Sequence, residues 1–131
     1  MGNPPSTESL SRAIAGTRAV LARVRPEQFE ASTPCASWDV RALINHFVAV
    51  PRRIGARLAR EEVSVPEDFT KDDLLSGYDE SLKVALRAFE APGATEKLVA
   101  TPFGEVPGAF ILGMVTADQF VHGWDLARAT G

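Results

Sequence analysis

Only two histidines occur in the 131 residues, His46 and His122, and an aspartate, Asp118, stands four residues before the second. A spacing of four puts two side chains on one face of a helix, one turn apart. In a helix over this region Ile111, Met114, Val115, Val121, Leu126 and Ala129 form an apolar face, with Asp118 at its centre. His122 falls about 40° to one side and Asp125 about 20° to the other. A carboxylate without a partner in a core costs several kcal/mol and tends to take up a proton, so a paired arrangement is expected. A divalent metal is the simplest partner for an Asp and a His one turn apart, an arrangement similar to the four-spaced zinc ligands of helical metalloenzymes. His46, near Leu43 and Val50 at the edge of another apolar face, offers a third ligand. Three ligands of the His/His/Asp type leave one metal position open, the pattern of a catalytic site. The plainer alternative is a buried, hydrogen-bonded Asp–His couple, and the spacing alone allows both.

Other polar residues gather around this trio. Asp125 is the candidate catalytic residue: it could take the second ring N–H of His122 or serve as a general base. Arg52, Arg53, Arg57 and Arg60 make the end of the second helix basic. Arg53 and Arg57 share the azimuth of His46 to within about 20° and could hold the carboxylate of a cofactor or substrate, or simply form a solvated face. Cys35 has no histidine near it in sequence to activate it and reads as structural. Trp38 and Trp124 read as packing residues, and Asn45 as a hydrogen-bonding neighbour of the site.

These residues need helices to position them, and four are predicted. The first runs from about Thr7 to Val24, capped by Ser6 or Thr7 and ended by Arg25-Pro26. The second runs from Val40 to about Arg60, with Asp39 as its cap, Trp38 stapled to Leu43, and a kink at Pro51. The third is capped by Thr70 and closed by Ala91-Pro92-Gly93. Leu98-Val99 and Pro102–Val106 read as two extended pieces around a turn. The fourth helix runs from about Gly108 to Ala129. Residues 1–5 read as a loose tail, because two prolines stop a helix from starting there.

The composition is that of one ordinary domain, with 45% apolar and 24% charged residues. A single cysteine excludes an intrachain disulfide framework and a Cys-based zinc site. A net charge of −3 argues against nucleic acid as a partner, and no apolar run approaches the ~20 residues of a membrane span. The N-terminus lacks the pattern of a secretory signal, so a cytoplasmic location is expected.

Two motifs carry a family resemblance. Thr33-Pro34-Cys35-Ala36-Ser37-Trp38-Asp39-Val40-Arg41, leading into Leu43-Ile44-Asn45-His46, is one. Asp118-Gln119-Phe120-Val121-His122-Gly123-Trp124-Asp125-Leu126-Ala127-Arg128 is the other, with Pro102–Gly108 ahead of it. They resemble the DinB-like superfamily, and more closely the N-terminal domain of mycothiol-dependent maleylpyruvate isomerase. The resemblance spans almost the whole chain. It implies a single all-α domain, an up-and-down four-helix bundle with a short extended hairpin between helices 3 and 4. It also implies a metal site on His46, Asp118 and His122, holding zinc or nickel. The isomerase has a glutamate where this chain has Asp118, which implies either a metal seated closer to the fourth helix or one bound less tightly. Relatives usually continue past the point where this chain stops, at Gly131, so either the family's C-terminal extension is absent or the chain is a fragment. The implied activity is that of a transferase or isomerase using mycothiol or a similar low-molecular-weight thiol against an electrophilic substrate, with a homodimer left open. A non-catalytic metal-binding module and a metal-dependent hydrolase remain as alternatives.

Overall fold

The computed structural model describes residues 6–131; the predicted loose tail, residues 1–5, lies outside them. Four helices form, α1 (Thr7–Leu21), α2 (Val40–Ala59), α3 (Leu74–Glu90) and α4 (Gly108–Thr130). Strands β1 (Leu98–Thr101) and β2 (Gly104–Pro107) pair antiparallel between α3 and α4, with Leu98 opposite Pro107 and Thr101 opposite Gly104. Gly104 turns the hairpin with φ +113°, a conformation that side-chain-bearing residues avoid.

Most of the caps follow the sequence. Ser6 accepts from the Ser9 amide at the start of α1, and Asp39 accepts from the Ala42 amide at the start of α2. Helix α1 stops at Leu21, three residues before the expected end, because Arg23 and Val24 turn to carbonyls three residues back. Thr70 does not cap α3. It sits in the short 3-10 turn Phe69–Lys71, while Asp73 accepts from the Ser76 amide and starts the helix. Helix α2 continues through Pro51, which is buried.

Cross-contacts set the helix directions. Phe47 meets Tyr78, Arg52 reaches Gly77 and Ser81, and Gly55 lies against Val84 and Ala85, so α2 and α3 run the same way. Thr17 meets Gln119 and Gly123, and Gln28 reaches Thr130, so α1 and α4 run together as well. The expected four-helix bundle and its hairpin stand, but the order of directions is up, down, down, up instead of a simple alternation. Residues 60–73 make this possible by carrying the chain back along the bundle as a strap. Arg52, placed by its sequence context on a basic surface, is buried and holds that strap. Its guanidinium donates to the Ser64 carbonyl, the Gly77 carbonyl and the Ser81 hydroxyl, and lies over the Phe69 ring.

Two apolar clusters fill the bundle. One gathers Leu43, Ile44, Phe47, Tyr78 and Leu126; the other gathers Leu10, Phe89, Leu112 and Val115. The buried face of α4 is rotated from the one its sequence suggests. Met114 and Val121 are half exposed, while Leu112 and Gln119 are fully buried. Apolar residues occur almost all round α4, so periodicity does not select its face. Gly123 does: a Cβ there would stand 2.3 Å from Thr17 Oγ1, so only glycine lets α1 approach. Gln119 lies at the crossing of all four helices. Its amide donates to the Phe47 carbonyl, its side-chain oxygen accepts from the Tyr78 hydroxyl at 2.6 Å, and its own carbonyl accepts from Thr17 Oγ1. Burial pushes the Tyr78 hydroxyl pKa upward, which keeps it a donor.

Candidate metal centre

Helix α2 brings His46, and α4 brings Asp118 and His122, to one place between them. Asp118 Oδ1 lies 3.4 Å from His46 Nε2 and 3.2 Å from His122 Nε2. The donor atoms of these three residues all lie within 4.8 Å of one another. A tetrahedral ion with bonds of about 2.0–2.2 Å separates its ligands by about 3.3–3.5 Å, so the two contacts to Asp118 have the length of ligand–ligand edges. The other carboxylate oxygen, Asp118 Oδ2, is buried and has no hydrogen-bond partner among the described residues. Such an orphaned oxygen is a reason to look for an ion.

The far side of the His122 ring is held. Its Nδ1 is 3.2 Å from Asp125 Oδ2, and Asp125 is buried. With Nδ1 donating its N–H to that carboxylate, Nε2 presents a lone pair wherever it carries no proton of its own. That lone pair faces Asp118 Oδ1. Two acceptors so close repel unless a proton or a metal cation stands between them. The donor set and its geometry therefore fit a divalent ion.

The loop before α2 packs against one side of the site. Thr33 Oγ1 accepts from the Cys35 amide and donates to carbonyls of the same loop, shaping a tight turn. This sets Cys35 Sγ 3.3 Å from Asp125 Oδ2 and lays the Trp38 ring 4.6 Å from the His46 ring and 5.8 Å from the His122 ring, centre to centre. Burial, then the hydrogen bond to Asp125, push the Cys35 thiol pKa up, so the sulfur stays protonated and donates. Cys35, His122 and Asp125 form a second close set, which shares His122 with the first. Sequence reasoning missed the contacts of Cys35 and Trp38, because a loop crossing from one helix onto another leaves no periodic signal. Asn45 turns away from the histidines and binds the strap through Asp68 and the Phe69 amide. Arg53 and Arg57 are both exposed. Arg57 lines a cavity beside the hairpin, and neither makes a hydrogen bond to the histidine cluster. Trp124 is exposed under Arg128.

The fold and this cluster define a class, a four-helix bundle with a His/Asp/His centre able to hold a divalent ion. Residues 10–127 match the mycothiol maleylpyruvate isomerase N-terminal domain, and the chain belongs to that family. It is 38% identical over 113 residues to uncharacterized proteins of Mycobacterium tuberculosis strains CDC 1551 and H37Rv. The match covers 86% of this chain and 60% of each relative, so the chain spans about three-fifths of the length of the curated relatives it matches. No helix among the described residues is long and apolar enough to cross a membrane.

Proposed function

We propose that the chain holds one divalent ion, zinc or nickel, on His46, Asp118 and His122, and uses it with mycothiol or a similar small thiol in transfer to, or isomerisation of, an electrophilic substrate. The observation that carries the reading is the Asp118 carboxylate, one oxygen orphaned in the interior and the other facing two imidazole nitrogens. A bound divalent ion supplies positive charge that favours a thiolate over a thiol at neutral pH. The remaining work falls to the chain. Asp125 fixes the tautomer and tilt of His122, as carboxylates behind ligating histidines do. Trp38 packs beside both rings and limits their freedom to turn. Cys35 stays a protonated donor to Asp125, which leaves the nucleophilic sulfur to the small molecule. Arg53, two turns of α2 or about 10 Å beyond His46, is the proposed contact for an acidic group of the thiol.

The test loads the protein with cobalt(II) and titrates mycothiol. A sulfur-to-cobalt charge-transfer band in the near ultraviolet is expected, and Asp118→Ala removes it together with the cobalt. Stoichiometric cobalt with no band at saturating thiol overturns the thiol reading and favours a hydrolase or a non-catalytic metal module.

A further inference from the structure

The hairpin end of the bundle contains a cavity of about 450 Å³ between α2, α4 and the two strands. Ile54, Leu58, Val106, Phe110 and Met114 make its wall, and the one charged group on it is Arg57. Its size is that of small-molecule sites, which are mostly apolar with a few polar groups that orient the ligand. Two features mark it as more than a packing fault. Phe103, at the hairpin tip and on the cavity wall, is 94% exposed, and Phe110 and Met114 beside it are half exposed. Apolar surface gathered around an open cavity stabilises the fold little and suits a ligand. Moreover, no ion pair among the described residues involves Arg57. The groove that continues past Arg57 along the hairpin adds Arg60 and Lys97 against Glu105 alone, a local excess of positive charge in a chain whose net charge is −3.

We infer that this cavity binds a small amphipathic anion, an alkyl or aryl carboxylate or sulfonate, with its apolar body against Ile54, Val106 and Met114 and its acidic group on Arg57. The guanidinium offers a planar pair of donors to two acid oxygens. The site is separate from the metal centre: Ile54 is eight residues, about 12 Å of helix, beyond His46. The inference does not depend on a bound metal.

The probe is 8-anilinonaphthalene-1-sulfonate, followed by its fluorescence, with decanoate and decan-1-ol as competitors. One probe per chain is expected to bind, with or without EDTA. Decanoate should displace it at least tenfold more effectively than decan-1-ol. Arg57→Gln, at an exposed position, should bring decanoate down to the level of the alcohol. Met114→Trp fills the half-exposed wall without entering the core and should abolish probe binding while the circular dichroism and melting curve are unchanged. Ile54→Phe, from the opposite wall, should weaken it too. Equal displacement by acid and alcohol in the unaltered protein overturns the inference. So does probe binding that survives both filling substitutions, or binding that disappears with EDTA, which would place the anion at the metal centre instead.

Discussion

Asp125 shows how much a single side chain decides at the centre. One of its oxygens meets both the His122 ring and the Cys35 thiol. In Asp125→Asn the amide oxygen can still accept, but the negative charge behind His122, a proposed ligand, is gone. Metal affinity should fall about 10–100-fold, read by competition with a chromophoric chelator, with the helical content unchanged. Cys35→Ser should keep metal binding and thiol transfer, because the hydroxyl can donate to the same carboxylate; loss of transfer in a metal-loaded serine variant would make the cysteine a reactant. The residues meeting at the centre were legible in the sequence for a simple reason. His122 and Asp118 share a helix, where spacing converts directly to a face, and His46 is the only other histidine. Gln119, Trp38 and the Cys35–Asp125 contact were not. Each depends on which neighbouring element arrives there, and no spacing within one helix records that.

Among the elements, the strap of residues 60–73 departs most from what the sequence suggests. A run of Glu, Ser, Val and Pro reads as an ordinary connection, yet α2 reaches out to hold it at Ser64, Asp68 and Phe69. Arg52→Ala leaves the Ser64 and Gly77 carbonyls without their charged donor. A loss of about 2–4 kcal/mol is expected in urea denaturation, well above that of Arg53→Ala on the exposed face. Asp68 adds a pH signature. The Thr70 hydroxyl chiefly, with Asn45, the Thr70 amide and Arg41, lowers its carboxyl pKa below the ordinary 3.8. A folded-state pKa below the unfolded one gives stability that is complete above about pH 4 and lost as pH falls through the lower value. Asp68→Ala should therefore cost about 1 kcal/mol between pH 5 and 7, and the gap to the unaltered protein should begin to narrow only below about pH 4. The helices and hairpin themselves were legible from caps, prolines and periodicity. The inner face of α4 was not, since helix–helix approach at Gly123, and not hydrophobicity, selects it.

For the molecule as a whole, the proposed metal and the fold share their free energy. The centre joins α2 to α4 across an antiparallel contact, one residue away from Gln119 on α4 and Phe47 on α2, where the buried hydrogen bonds lock the same two helices. An unfolded chain offers no such site, so ion binding adds to stability. At metal a hundredfold above its dissociation constant the gain is about 2.7 kcal/mol, and a chelator should lower the melting temperature by about 5–10 °C. His122→Ala should remove that difference, and identical melting curves with and without chelator in the unaltered protein would refute the coupling.

The shared direction of α1 and α4 also has a mechanical consequence. The start of α1 lies at the hairpin end of the bundle, and α4 ends at the opposite end, about 35 Å from its own first residue. A pull applied between Thr7 and Thr130 therefore drags the two helices lengthwise past each other. It loads together the Thr17–Gln119 bond, the close seat of Thr17 against Gly123 and the Gln28–Thr130 bond. Contacts loaded side by side give way together, whereas those of a hairpin pulled from its open end give way one at a time. Held by these ends, the bundle resists tension in shear, and the small-residue contact at Gly123 becomes its tensile joint.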